Sequence, residues 1–156
     1  MSLPDPHPED SWPQTVVECE GSEFDWFALD QEGRLGVFST AGAGVIPGVV
    51  VRSGPAVYNS VIAVVLARPC CSFHRVSRES GSIADWRDYA QQGLYAFDFY
   101  DVHRVGAAKK GGYDLICRPD VALVRADLPD TIADRLPLLP IVFASTNFVP
   151  TELIPT

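Results

Sequence analysis

Two adjacent aromatic residues in a strand-like segment place the strongest constraint on this chain. Phe24-Asp25-Trp26-Phe27-Ala28-Leu29-Asp30 is rich in aromatic and apolar side chains, and Gln31-Glu32-Gly33 follows as a turn in which Gly33 is free to take a positive φ. Arg34-Leu35-Gly36-Val37-Phe38-Ser39 returns as a second strand, so the segment predicts a β-hairpin. Successive side chains on a strand point to opposite faces, and Trp26 and Phe27 cannot share one. A sheet built on this hairpin either carries a core layer on each face or leaves one large aromatic residue in solvent.

The remaining elements follow from periodicity and breakers. Pro47 opens a short turn over Gly48 to Val51, and Ser53-Gly54-Pro55 reads as a helix start. Val57, Val61, Ile62, Val65 and Leu66 fall on one stripe of that helix, and Pro69 stops it. Ser82, with Asp85 three residues on, opens a second helix whose expected buried face is Ile83, Trp86 and Ala90; Gly93 ends it. Leu94 to Tyr100 alternates strictly, with Tyr95, Phe97 and Phe99 on one side. Thr15–Glu20, Tyr113–Cys117 with Val121–Val124, and Ile141–Phe148 read as further strands, and Thr131–Leu136 as a short helix. Hairpins outnumber βαβ units. The expected fold class is α+β, a mainly antiparallel sheet with two or three helices packed on one face.

Four prolines, Pro4, Pro6, Pro8 and Pro13, stand among polar and acidic residues at the start. Residues 1–13 are therefore expected to form a flexible, Pro-rich acidic tail. No Ser/Gly linker divides residues 14–156, which read as a single globular α+β domain. The formal net charge is -8, from 20 acidic and 12 basic residues. Residues 1–30 hold Asp5, Glu9, Asp10, Glu18, Glu20, Glu23, Asp25 and Asp30 and no Lys or Arg. Such a chain is repelled by phosphate backbones, so nucleic acid is not an expected partner. A basic protein is. Trp26, with Asp25 and Asp30 around it and Glu20 and Glu23 just before it, forms the expected interaction surface, an aromatic anchor in an acidic rim.

Cys19, Cys70, Cys71 and Cys117 include no CxxC pair and are too few for a disulfide scaffold, so free thiols are expected. The first residues carry no basic n-region or apolar h-region, and the longest unbroken apolar run, Val61 to Ala67, is short of a bilayer span. The expectation is a cytoplasmic protein without a membrane partner.

Chemistry is sparse. Gly42-Ala43-Gly44 follows a strand, as a phosphate loop would, but no third glycine stands in Rossmann register and no Lys-Ser/Thr follows. In Asp98-x-x-Asp101-x-His103, Asp101 and His103 share a face of an extended chain and offer O and N donors. Cys70, Cys71 and His74 are a second donor set, and neither set has the spacing of a known zinc module. Gly42, Gly44, Asp98, Asp101 and His103 thus form the alternative site, the cleft of a small ligand-binding protein or enzyme. No Gly-x-Ser-x-Gly elbow occurs, and no catalytic residue, cofactor or metal is assigned.

Trp26 to Gly42 resembles the opening hairpin of a family of small bacterial proteins of uncharacterised function, and Gly93-Leu94-Tyr95-Ala96-Phe97-Asp98 resembles a second block of that family. Some proteins of this kind are similar to immunity proteins of bacterial toxin systems, which bind and block a toxin. The resemblance supplies no catalytic residues. It implies a binding role, with a basic toxin as the kind of partner.

Overall fold

The computed structural model describes residues 5–76, 82–99 and 111–156. The expected hairpin forms: β1 (Asp25–Leu29) and β2 (Leu35–Ser39) pair antiparallel, with Trp26 opposite Phe38. Gly33 takes φ 76° in the turn. Asp30 organises that turn. Its Oδ1 accepts the N–H groups of Glu32 (2.9 Å) and Arg34 (2.8 Å), and its Oδ2 accepts the N–H of Phe143 (2.7 Å). A buried carboxylate is tolerable only when its oxygens are met by donors, as here. Asp30 is fully buried, which removes it from the expected interaction surface.

Beyond the hairpin, β2 pairs in parallel with β4 (Tyr95–Phe99), placing Phe38 opposite Phe97. A parallel neighbour requires a long crossover. Here the crossover holds α1 (Gly48–Ala67), β3 (Phe73–Arg75) and α2 (Ala84–Gln91). β4 pairs antiparallel with β5 (Gly112–Pro119). β3 and β6 (Phe148–Pro150) share the far edge of β5, at its C-terminal and N-terminal ends respectively. The sheet is mixed and mainly antiparallel, in order β1-β2-β4-β5-β3 with β6 also on β5, and the fold is α+β. A short helix, α3 (Asp130–Ala133), lies beside α1.

Both faces of the hairpin carry core. Phe27 meets Tyr58 of α1 and Tyr89 of α2, at centroid distances of 5.1 and 6.5 Å, so these helices cover one face. On the other face Trp26, Phe38 and Phe97 form a stack with spacings of 4.4 and 4.6 Å. Tyr113 of β5 stands edge-on to that stack, and Phe143 covers it from the C-terminal segment. Trp26 is 0% exposed. The expectation of Trp26 as a surface anchor is therefore corrected, because the C-terminal segment supplies a second core layer.

Gly54 interrupts α1 at φ 80°, ψ 176°, and Pro55 opens the second segment, as Ser53-Gly54-Pro55 leads one to expect. At its far end, the Gln92 amide donates to the carbonyls of Val65 (2.6 Å) and Arg68 (2.9 Å), so a side chain caps α1 before Pro69. By length and composition α1 is also apolar enough to cross a membrane, although no unbroken apolar run in it is that long. Here it is kinked, and Val51, Val57, Tyr58, Val61, Ile62 and Val65 are buried within the fold.

Four other expectations change. α2 packs the expected Ile83, Trp86 and Ala90 against the core, Ala90 fully and the other two partly buried, and it also buries Tyr89 and Asp88, which the expected face omitted. Thr15–Glu20 holds no strand. Val16–Cys19 is a 3-10 helix, and the Glu18 carboxylate turns back to accept the Gln14 N–H at 2.7 Å. Val121–Val124 does not continue β5; Leu123 instead ties Gly93 to Leu35 by backbone bonds of 2.8 and 2.9 Å. Phe143–Ser145 is a 3-10 turn, and the last strand begins at Phe148.

Within the expected tail, His7 and Trp12 are held against α1, while residues 5, 6 and 8–11 are exposed. Pro55 has no N–H, so the Val51 carbonyl lacks its helical donor. The Trp12 indole Nε1 fills that vacancy at 3.0 Å, and Trp12 is 5% exposed. His7 exchanges two bonds with the Asn59 side chain, N–H to Oδ1 at 2.8 Å and Nδ2–H to the carbonyl at 3.0 Å. Its ring lies 5.2 Å from that of Trp12 and 4.7 Å from that of Tyr58. Trp12→Ala should cost about 3 kcal/mol and lower the melting temperature by roughly 6–12 °C in a chain of this size. An unchanged melting curve would show the segment undocked.

Candidate functional site

The 3-10 helix Val16–Cys19 is a ridge between two depressions. On one side lies a cleft of about 310 Å³, bordered by Val16, Cys19 and Glu20 and by the loop Gly42 to Ile46. On the other is a wider, open depression of about 530 Å³ that takes in His7, Asp10, Glu18, Ser22 and Glu23. Cys19 sits buried beneath the ridge and touches both. Burial, and then the charge of Glu18, push its thiol above the usual range, so it stays protonated and unreactive.

The cleft holds the Gly42-Ala43-Gly44 motif, yet the loop is not built for phosphate. A phosphate cradle needs outward-pointing N–H groups. Here Ala43 N and Gly44 N both donate to the Thr40 carbonyl, at 3.0 and 2.8 Å, and Gly42 N approaches the Thr40 hydroxyl at 3.4 Å. Thr40 is buried and turns the donors inward. Gly44 serves packing: a Cβ there would lie 2.8 Å from Tyr113 Cζ and closer still to its hydroxyl oxygen. That hydroxyl accepts from Trp26 Nε1 at 3.2 Å and donates to the Val45 carbonyl at 2.9 Å. Gly42 needs its glycine for φ 79°.

The other candidate residues separate. Glu20 borders the cleft and Glu23 the depression, both exposed. Asp25 is half-buried, with its carboxylate turned in to accept the Tyr89 hydroxyl at 2.7 Å. Burial raises its pKa, beyond what the Tyr89 and Ser39 hydrogen bonds lower it, and Glu23 and Asp85 push the same way as burial. The Tyr89 and Tyr58 phenols lie above their usual range for the same reason, and stay protonated. Asp98 is aligned with Ser39 and Asp114 across the sheet and does not border the Gly42–Gly44 cleft. Asp101 and His103 lie outside the described residues.

Cys70, Cys71 and His74 do not converge on a metal. The Cys70 thiol donates to Gln92 Oε1 at 3.0 Å, and the Cys71 thiol faces the carbonyls of Ala90 and Val121. His74 Nε2 lies 2.6 Å from Asp120 Oδ1, and the Ser72 hydroxyl bonds the other carboxylate oxygen. Among the described residues no three His, Cys, Asp or Glu side chains form a ligand set. Sequence reasoning missed Val16, Val17, Asp10 and Glu18. Two β-branched residues beside acids looked like strand, with the Phe24–Asp30 strand a few residues on as an apparent partner, and no local signal marked the 3-10 turn. Val17 is 64% exposed at the crest of the ridge. No family model, curated protein or solved structure matches the chain.

Gly44→Ala should destabilise by about 1–3 kcal/mol through overpacking. In a Tyr113→Phe background, which removes the nearest atom, its cost should fall. Equal costs in the two backgrounds, read by chemical unfolding, would refute the packing role.

Asp25 generates a pH prediction. Its folded pKa is raised above the ordinary 3.8, so the folded state binds the proton more tightly. The stability this contributes is present below 3.8 and is lost as pH rises through the folded value. Asp25→Asn keeps an acceptor for Tyr89 without the charge. It should be more stable than the wild type near neutral pH, with the difference shrinking on acidification toward 3.8. A difference independent of pH, in melting curves across that window, would contradict the assignment.

Proposed function

We propose that this protein is a binding module whose acidic N-terminal surface holds a basic protein partner, in the manner of an immunity-like inhibitor of a basic bacterial toxin. One observation carries this reading. Val16 and Val17 are exposed on a ridge flanked by Asp10, Glu18, Glu20 and Glu23, and among the described residues neither adjoining depression is lined by Lys or Arg. An apolar centre within a charged rim is the anatomy of a protein interface rather than of a catalytic pocket. Trp12 and His7 hold the backbone beside Asp10, Glu18 bonds the Gln14 N–H and Gly21 bonds the Gly42 carbonyl, which limits the ordering cost of association.

The enzyme alternative loses support at the same site. The glycine loop spends its donors on Thr40, and Asp98 does not border its cleft. Charge steering accelerates association of opposite surfaces by tenfold or more and is screened by salt. The test is affinity capture from a lysate of the source organism, run in parallel with a Glu18→Lys/Glu23→Lys variant. The wild type should retain a basic protein that the variant and raised salt both lose, and the purified pair should associate about tenfold more slowly when the charges are reversed. Capture of the same proteins by both forms would refute the reading.

A further inference from the structure

We infer that the cleft beside Gly42–Ile46 receives one apolar side chain of the partner, so that the recognised segment pairs this residue with a basic one across the Val16–Cys19 ridge. This rests on the acidic-surface reading and deepens it. The two depressions share Cys19 as their common floor, so a single extended segment crossing the ridge enters both. They differ in chemistry. The wider one offers Asp10, Glu18 and Glu23. The cleft offers Val16, Ala43, Val45 and Ile46, with Thr156 also on its border, and among the described residues its one charged side chain is Glu20.

Size argues for a side chain rather than a cofactor. Pockets for whole small molecules run about 300–1,000 Å³ and bury most of the ligand. At about 310 Å³ and open to solvent, this cleft is at the lower limit. Its backbone donors are turned to Thr40, which leaves little to orient a polar ligand and favours an apolar one. Glu20 at the mouth and Glu18 on the ridge repel an acidic neighbour, so the flanking residue is Lys or Arg.

The full chain is panned against random peptides displayed on phage, alongside Ala43→Trp, which fills the cleft from an exposed position with ordinary φ. Enriched peptides should carry a Lys or Arg and one large apolar residue at a fixed spacing. A synthetic consensus peptide should lose at least about tenfold in affinity for Ala43→Trp, the equivalent of one buried apolar side chain. It should lose a similar amount when its apolar residue becomes Ser. Val16→Asn is the second variant, read in the same way should Ala43→Trp fold poorly. Basic peptides with no fixed apolar position would overturn the cleft assignment and leave the acidic surface standing. Enrichment without basic residues, or no enrichment over blank resin, would overturn both.

Discussion

The stack of Trp26, Phe38 and Phe97 across β1, β2 and β4 holds the rest of the structure in place. It bridges an antiparallel and a parallel strand pair, with ring spacings of 4.4 and 4.6 Å. Offset and edge-on aromatic contacts add to simple area burial, and Tyr113 supplies the edge-on partner from β5. Its hydroxyl then carries the core outward: it accepts a hydrogen bond from the Trp26 indole N–H and donates one to the Val45 carbonyl. The loop that walls the cleft is thus hung from the centre of the sheet, and Gly44 is the residue that lets it come close enough.

A second chain of dependence begins at Pro55. The missing N–H leaves the Val51 carbonyl open, and the Trp12 indole closes it from a segment that composition alone reads as tail. Four prolines and several acids describe a chain that forms no long helix and no strand, but they do not describe whether it docks. Docking is set by a buried acceptor some distance along the sequence, which local composition does not encode. The same logic applies to Gln92, whose side chain caps α1 from the end of another helix.

Local rules were therefore readable and partners were not. The hairpin, the break at Ser53-Gly54-Pro55, the alternation of β4 and the α+β class all follow from periods, turn glycines and proline. Trp26 and Phe27 raised the right question, since they must face opposite ways. Its answer required Phe143, which lies more than a hundred residues away and whose N–H is anchored to Asp30. Tyr89 was overlooked because its burial depends on Phe27 and Asp25 of β1, which meet it from a distant strand. At the site, Glu20 and Glu23 were legible as charge and the glycines as a loop. That the loop folds its donors onto Thr40, and that two valines form a ridge rather than a strand, depended on which segments stood nearby.

The acids of the first thirty residues divide by what meets them. Asp30 satisfies three backbone N–H groups and Asp25 takes a phenol, so both turn inward, where desolvation is offset by donors. Asp5, Glu9, Asp10, Glu18, Glu20 and Glu23 are exposed. A segment needed only for solubility would gain nothing from being held rigid, because screened charges on a loose tail repel aggregation equally well. This one is clamped at His7 and Trp12 on one side and bonded to the glycine loop, Gly21 N to Gly42 O at 2.8 Å, on the other. Bringing like charges together costs electrostatic energy at every pH where they are ionised. The fold accepts that cost at the Val16–Cys19 ridge, where exposed valines interrupt the acids.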